Sequence, residues 1–239
     1  MKYLAGLCAT FLIAGSSIAQ EVPENFMERL KAFLGPQYPI DSVAESPMPG
    51  VYEVAAGGQV VYASVKDDFL LIGTMYDTVT RTNIGEQKQN KVMQDKAESA
   101  VSSVPVDDLI IFSAVGEAKR HVTIFTDMDC GYCRKLHREV PTLNAAGIEV
   151  RYMMFPMLTD QSRPKAISVW CAEDKQTALT QAKLGMDVPP RDCSNPVDQQ
   201  FQVGQTIGVR GTPFIVLDDY SIIGGYVPAD QLISRLGLK

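Results

Sequence analysis

HVTIFTDMDCGYCRKLH, residues 121–137, contains two cysteines separated by two residues. Its first part, HVTIFTDMD, is rich in apolar and β-branched side chains, a pattern typical of a buried strand. The part from Arg134 to Val140 predicts a helix that Pro141 interrupts. We therefore place Cys130 where the strand ends and the helix begins, with Cys133 one helical turn further along.

This position determines the chemistry expected of the two thiols. The amide N–H groups in the first turn of a helix have no partners within the helix, and the helix dipole adds positive potential there. Both effects favour the thiolate, so we predict a pKa for Cys130 below the free-thiol value of roughly 8.5. A Cys130 thiolate can attack a disulfide in another protein, and Cys133 can then attack the resulting mixed disulfide.

Two other interpretations of the CxxC motif are weaker. A structural zinc site needs four ligands, but the sequence offers no second close cysteine pair and only two histidines, His121 and His137. A purely structural disulfide is disfavoured because short CxxC loops more often belong to redox sites. We therefore interpret Cys130 and Cys133 as a redox-active pair and predict neither a metal ion nor a cofactor.

The N-terminal residues and the net charge indicate an exported protein that does not bind nucleic acid. Residues 1–19 have a lysine at position 2, an apolar run and small residues ending at Ala19, which is the pattern of a cleaved signal peptide. The apolar run falls short of the ~20 residues that a membrane anchor needs. The net charge of −6 argues against a general nucleic-acid-binding protein, which needs a basic surface.

Four cysteines remain after this cleavage, which suits an oxidising compartment. Cys171 and Cys193 do not form a close motif, and nothing places either at a helix start with a partner two residues away. We expect them to form a structural disulfide. It would close a loop of about twenty residues and contribute ~3 kcal/mol to stability.

The mature sequence divides into three parts. Residues 20–84 combine one amphipathic helix with strand and turn patterns, which predicts a small α+β domain. Such a domain buries little apolar surface alone, so we expect it to dimerise. Residues 85–106 are polar and helix-forming, which predicts a solvated linker helix. Residues 107–239 follow the order strand, helix, strand, helices, strand, strand and helix, that of a thioredoxin-like α/β domain.

Several segments together resemble the DsbC-type thiol:disulfide isomerases of the bacterial periplasm. They are TDMDCGYCRKLH, GIEVRYMMFP, WCAEDK, GVRGTPFIVLDD and GTMYD, and the similarity extends in the same order over nearly the whole mature chain. The resemblance implies a thioredoxin-like catalytic domain with a helical insertion, joined by the linker helix to a cystatin-like dimerisation domain. It also implies a V-shaped homodimer with an apolar cleft, located in the periplasm of a Gram-negative bacterium.

The resemblance assigns roles to the four cysteines. It implies that Cys130 attacks the client disulfide and that Cys133 resolves the mixed disulfide. It also implies that Cys171 and Cys193 form the structural disulfide of the family.

Substrate-binding residues follow from the same resemblance. Thr212 would precede a cis proline, Pro213, and offer backbone hydrogen bonds to a bound peptide. The dipeptide Gly131-Tyr132 is similar to that of the isomerases rather than to the proline-containing dipeptides of DsbG-type and DsbA-type proteins. Tyr132 would present an aromatic surface to unfolded clients.

The function implied is a disulfide isomerase that attacks and rearranges non-native disulfides in unfolded or misoxidised exported proteins, with associated chaperone activity. An inner-membrane electron donor of the DsbD type would keep it reduced. The alternatives are a DsbG-like reductase of oxidised single cysteines, an oxidase, or a holdase chaperone with secondary thiol chemistry. An isomerase needs its CxxC pair reduced, whereas an oxidase needs it oxidised.

Two features near the cysteines affect the ionisation of Cys130 and the deprotonation of Cys133. Asp129 directly precedes Cys130, and its carboxylate opposes thiolate formation unless Arg134 or Lys135 offsets it. Ile124 stands where thioredoxin-type reductants carry a buried acid, so the group that takes the Cys133 proton is not identified. Water or His137 could take it, although we interpret His137 as a helix-surface residue.

Overall fold

A computed structural model describes residues 22–67 and 69–238. The predicted signal peptide lies outside the described residues. The chain forms two compact units. The first contains the described residues up to Gly57 together with Val61–Ile72, and the second contains Gly58–Val60 and the described residues from Gly73 onward.

The first unit packs one helix on a four-stranded sheet. Its elements are α1 (Glu24–Leu34), β1 (Ile40–Glu45), β2 (Val51–Ala56), β3 (Gln59–Ser64) and β4 (Leu70–Leu71), with the strands in the order β1-β2-β3-β4. Phe26 and Leu30 lie one turn apart on α1 and pack with Val54 and Val61 in the core of this unit. The sequence did not predict β1, because none of its side chains is buried and it lacks a clear apolar alternation.

The second unit has a five-stranded mixed sheet with helices around it. Its strands lie in the order Ile222–Gly224, Phe214–Leu217, Arg120–Thr126, Ile148–Met154 and Ile110–Phe112. The elements of this unit are β5 (Tyr76–Asp77), β6 (Thr82–Asn83), α2 (Ile84–Ser102), a 3-10 helix (Val106–Asp108), β7 (Ile110–Phe112), β8 (Arg120–Thr126), α3 (Gly131–Arg138), α4 (Val140–Ala145), β9 (Ile148–Met154), α5 (Ser162–Trp170), α6 (Lys175–Lys183), α7 (Val197–Thr206), β10 (Phe214–Leu217), β11 (Ile222–Gly224) and α8 (Ala229–Arg235).

Strand β8 occupies the centre of this sheet. It pairs in parallel with β9 and antiparallel with β10, so it has neighbours on both sides. Val122 and Ile124 belong to the core on one face of the sheet and Phe125 to the core on the other. A strand buried on both faces reads as a continuous apolar run, which is why HVTIF identified it. The predicted fold class, a thioredoxin-like domain combined with a small α+β domain, is confirmed.

Helix α2 packs against the rest of the second unit along a narrow stripe of its surface. Asn83 caps its N-terminus by accepting a hydrogen bond from the Glu86 amide at 3.0 Å. Ala97 is fully buried in a core cluster of this unit, and the Ser102 hydroxyl lies 3.1 Å from the Tyr220 hydroxyl. The remaining surface of α2 is polar, as its sequence predicted.

Three helices form an insertion between β9 and β10. The disulfide between Cys171 and Cys193 joins the end of α5 to the segment before α7, with a Cα–Cα distance of 5.8 Å. It therefore closes a loop that contains α6. Because α6 packs on both α3 and α5, this loop supports the helix that carries Cys133.

Candidate active site

Cys130 caps the N-terminus of α3. Its sulfur accepts a hydrogen bond from the Cys133 amide, with a nitrogen–sulfur distance of 3.3 Å. Both cysteines are free and buried. The helix starts at Gly131, directly after Cys130, although its helical pattern in the sequence begins only at Arg134, because the first turn belongs to the CxxC motif. It ends before Val140, and Pro141 falls in the first turn of α4, where proline is tolerated.

The surroundings of Cys130 strongly favour its thiolate. The hydrogen bond from the Cys133 thiol has the largest effect and outweighs the cost of burial. The Thr212 hydroxyl and the amides of Cys133 and Tyr132 act in the same direction, and together they lower the pKa of Cys130 to about 5. Cys130 is therefore expected to be ionised at neutral pH and ready to act as a nucleophile.

Titration of Cys130 tests this expectation. A thiol with a lowered pKa stays ionised as the pH falls, and loses its charge only as the pH passes through that pKa. The ultraviolet absorbance of the thiolate in the reduced protein should therefore fall with a midpoint near pH 5. This step should be absent from Cys130→Ser. A midpoint above about 8, the free-thiol range, would contradict the expectation.

Cys133 has the opposite environment. Burial raises its pKa, and the hydrogen bond that it donates to the Cys130 thiolate raises it further. The Lys183 charge and hydrogen bonds from Thr126 and the Asp127 backbone act against this rise without cancelling it. At neutral pH the site is therefore expected to hold one thiolate, Cys130, and one thiol, Cys133.

Thr212 faces Cys130 from the loop before β10. The Thr212–Pro213 peptide bond is cis. The Cys130 thiol donates a hydrogen bond to the Thr212 carbonyl oxygen at 3.0 Å. With Cys130 in this thiol form, the buried Thr212 hydroxyl makes no hydrogen bond within the described residues. That hydroxyl is available to donate to the sulfur once Cys130 ionises, which is its contribution to the lowered pKa.

The dipeptide between the cysteines borders an open surface. A Cβ atom at Gly131 would have no atom within 4 Å. The Tyr132 side chain is 64% exposed and stacks on the Tyr226 ring, with 6.0 Å between the ring centres. The Lys135 ammonium group lies over the Tyr226 ring, 4.4 Å from its centre. The two stacked rings form an apolar surface next to the CxxC motif.

The charge of Asp129 is compensated. Burial disfavours its ionisation, but hydrogen bonds from Lys165 and Thr159 and the nearby Arg134 outweigh this effect and lower its pKa. The Lys165 ammonium lies 2.6 Å from the carboxylate and the Arg134 guanidinium 3.5 Å from it. These two cations account for why a carboxylate next to Cys130 is compatible with a lowered thiol pKa. Lys165 is distant in sequence, so the motif alone did not indicate it.

Asp127, which sequence reasoning missed, connects β8 to the loop after β9. Its buried carboxylate accepts hydrogen bonds from the amides of Asp129, Met157 and Leu158 at 2.7 to 2.9 Å and from the Ser162 hydroxyl at 3.0 Å. The loop therefore has a fixed position beside the cysteines. Met157 and Leu158 in this loop are 40% and 50% exposed, which extends the apolar surface near the site.

His137 is buried, so the prediction of a helix-surface histidine is wrong. Its Nε2 lies 3.1 Å from the Thr180 hydroxyl and its Nδ1 lies 2.9 Å from the Tyr152 hydroxyl. Thr180 uses its hydroxyl proton on the Gln176 carbonyl, so we assign the imidazole proton to Nε2. Burial and the Lys183 charge lower the pKa of His137 to about 4. Both ring nitrogens are occupied, which makes His137 a poor acceptor for the Cys133 proton.

Lys183 is the second residue that sequence reasoning missed. It ends α6 on the buried face formed by Ala178, Leu179 and Ala182, and only 3% of its surface is exposed. Its ammonium group donates hydrogen bonds to the Thr126 hydroxyl at 2.6 Å and to the Asp127 carbonyl at 2.7 Å. The sequence does contain a signal for this buried lysine: Lys183 follows Leu179 by four residues and so lies on an otherwise apolar face of the helix.

Within residues 22–67 and 69–238, no group of three or more His, Cys, Asp or Glu side chains is arranged to hold a metal ion. In the same part of the chain, no helix is both long enough and apolar enough to cross a membrane.

Two family models match the chain. A model described as a thioredoxin-like domain matches residues 109–238, and one described as the N-terminal domain of the disulfide bond isomerase protein matches residues 17–86. With the dithiol geometry, the first match defines the class of protein as a thioredoxin-like thiol:disulfide oxidoreductase.

Similarity to individual proteins identifies the family within this class. The chain is 34% identical to the thiol:disulfide interchange protein DsbC of Dickeya dadantii over 81% of this chain and 79% of that protein. It is 30% identical to DsbC of Escherichia coli K12 over 80% of this chain and 78% of that protein. A crystal structure of a disulfide interchange protein from Neisseria gonorrhoeae matches 56% of this chain and 96% of its own length, with 28% identity and a TM-score of 0.51. The chain belongs to the DsbC family of thiol:disulfide isomerases.

Proposed function

We propose that this isomerase acts through Cys130 as nucleophile and Cys133 as resolving thiol, on unfolded or misoxidised proteins in the periplasm. The single observation that supports this assignment best is the contrast between the two sulfurs. Cys130 caps α3 with its pKa lowered to about 5, whereas burial raises the pKa of Cys133. One sulfur attacks while the other keeps its proton until it is needed.

The proposed thiol–disulfide exchange begins with one attack by Cys130 and can then follow either of two routes. The Cys130 thiolate attacks one sulfur of a client disulfide, a mixed disulfide forms, and the client's other sulfur leaves as a thiolate. That thiolate can attack a different disulfide of the client and finally the mixed disulfide, which regenerates Cys130. If rearrangement fails, Cys133 attacks Cys130 instead and releases a reduced client. The first route has no net redox change, and the second oxidises the CxxC pair.

The client is expected to bind across the surface beside the cysteines. Tyr132, Met157 and Leu158 offer exposed apolar groups, and Gly131 leaves the approach to Cys130 open. Thr212 offers backbone groups next to the reacting sulfur. Such contacts recognise an extended chain without demanding particular side chains, which suits an enzyme with many clients.

Dimerisation through the first unit is also part of the proposal. Phe33, Phe69, Leu71 and Ile72 are each at least 60% exposed in this unit. Phe33 and Phe69 border the same surface pocket, and contiguous exposed apolar side chains commonly mark an interface. Light scattering of the purified protein at micromolar concentration should give twice the mass of one chain, and a monomeric mass would contradict this part.

The proposal includes an electron donor of the DsbD type in the inner membrane. An isomerase must keep Cys130 reduced in an oxidising compartment, and the second route above consumes the dithiol. Alkylation of the two thiols in cells should find them reduced when the donor is present and oxidised when it is deleted. Thiols that stay reduced without the donor would contradict this assignment.

Comparison of the wild type with Cys130→Ser tests the proposed function against a holdase function. Both proteins are pre-reduced and given a scrambled, fully disulfide-bonded enzyme, and recovery of its activity is measured. The wild type should restore activity and Cys130→Ser should not exceed the spontaneous rate. If neither restores activity but both suppress aggregation of an unfolded client equally, binding rather than thiol exchange is the function.

A further inference from the structure

Lys183 lies close to the thiol that must lose a proton during the proposed reaction. Cys133 has to give up its proton when it attacks the mixed disulfide, and the acceptor of that proton has not yet been identified. Cys133 is buried and holds its proton tightly. Ile124 is apolar where a buried acid would be expected, and both nitrogens of His137 are occupied. Water has little access to this sulfur, since only 2% of Cys133 is exposed, so we consider the other groups in its buried surroundings.

Thr126 connects Cys133 to Lys183. A hydrogen bond from the Thr126 hydroxyl favours the Cys133 thiolate and so acts against the rise in the pKa of Cys133. The same hydroxyl oxygen is 2.6 Å from the Lys183 nitrogen. A hydroxyl that contacts both groups can accept one proton and pass on its own. Thr126 is itself 1% exposed, so this connection is shielded from solvent.

The charges around Lys183 set how readily it gives up and takes back a proton. Burial lowers the pKa of Lys183 to about 8, against the attraction of Cys133, Cys130 and Asp127, and Arg134 lowers it further. Tyr152 and His137 also border this buried region.

The Lys183 pKa should change during the reaction. In the mixed disulfide Cys130 carries no charge, so one of the charges that favour the ammonium disappears. The amine form of Lys183 therefore becomes more populated at the step in which Cys133 must lose its proton. Buried lysines with lowered pKa values act as general bases in other settings.

We propose that Lys183, as a neutral amine, accepts the Cys133 proton through the Thr126 hydroxyl when Cys133 attacks the mixed disulfide. The Cys133 S–H bond breaks, the Thr126 hydroxyl takes this proton and passes its own to the Lys183 nitrogen. The Cys133 sulfur bonds to the Cys130 sulfur, the mixed disulfide breaks, and the client leaves as a thiolate. The inference rests on the proposed roles of Cys130 and Cys133.

Rapid mixing of the reduced protein with dithiobis(nitrobenzoate) separates the steps. This aromatic disulfide releases one coloured thiolate when Cys130 attacks it and a second when Cys133 resolves the adduct. The first phase depends on reagent concentration, whereas the second does not. Lys183→Met is expected to slow the second phase by about tenfold or more and to move its pH profile upward, while the first phase changes little.

Two further variants keep the test decisive. Thr126→Val has nearly the same shape, removes the hydroxyl and should slow the second phase in the same way while leaving Lys183 in place. Lys175→Met, at the other end of α6 and stacked on Trp170, is the matched control and should react like the wild type. Unfolding midpoints of all variants identify any that do not fold, and Thr126→Val carries the test if Lys183→Met is one of them.

The outcomes are distinct. An unchanged second phase in Lys183→Met, or one that Thr126→Val does not slow, overturns the proton relay. Equal slowing by Lys175→Met assigns the effect to α6 as a whole and also overturns it. Loss of the reagent-dependent first phase in the wild type would instead refute the role of Cys130, which is the proposed function itself.

Discussion

Cys133→Ser is expected to accumulate covalent complexes with client proteins through Cys130. The substitution removes the Cys133 thiol, whose hydrogen bond lowers the pKa of Cys130 most, but the α3 amides and Thr212 still stabilise the Cys130 thiolate, and a serine hydroxyl can also donate a hydrogen bond. A serine hydroxyl cannot attack the mixed disulfide, so the fast intramolecular route is lost. Intramolecular reactions gain several orders of magnitude from proximity, and the lifetime of the complexes should rise by at least about a hundredfold.

Non-reducing electrophoresis and mass spectrometry of the trapped species measure this effect. The client peptide should be linked to Cys130. Cys130→Ser is the matched control and should trap nothing, since Cys133 keeps its proton and is buried. Complexes of Cys133→Ser that decay as fast as those of the wild type would contradict the assignment of Cys133 as the resolving thiol.

Asp127→Ala is expected to lower the free energy of unfolding by at least about 3 kcal/mol. The change removes a buried carboxylate and leaves three amides and one hydroxyl without their acceptor. It also removes a negative charge that stabilises the buried Lys183 ammonium. The loop that carries Met157 and Leu158 loses its anchor, so client binding should weaken together with stability.

Urea unfolding compares this variant with Asp198→Ala. Asp198 forms an exposed ion pair with Arg163, and exposed pairs contribute about 1 kcal/mol or less. The control should therefore unfold nearly like the wild type. An Asp127→Ala variant that matches the control would show that the four hydrogen bonds do not contribute as the geometry indicates.

The sequence predicted the parts of the fold that depend on local patterns. An apolar run followed by CxxC defined β8 and the start of α3, because a strand buried on both faces and a helix start leave clear signals. It missed β1, which has no buried side chain, and it predicted helices between β9 and β10 without separating them. The helical periodicity of α3 begins only at Arg134, so the CxxC motif rather than the periodicity located its first turn.

The sequence predicted those residues of the site that belong to short sequence motifs, but not those that come from elsewhere in the chain. Cys130, Cys133 and Thr212 were named from sequence because each belongs to a short recognisable pattern. Lys165 and Lys183 come from the helical insertion, and their contacts depend on how α5 and α6 pack. His137 was placed on the surface because a polar residue on a short helix usually faces water, whereas here Tyr152 and Thr180 supply its partners. Tertiary packing decided each of these cases.

Turnover in the absence of any other thiol tests the central claim most directly. A small amount of pre-reduced wild-type protein is added to an excess of scrambled, fully oxidised client, and recovered activity is counted per molecule of added protein. Isomerisation regenerates the Cys130–Cys133 dithiol, so recovery should exceed one client per protein, with the protein still reduced at the end. Recovery that stops at one equivalent, with the CxxC pair oxidised, would identify a reductase and contradict the account.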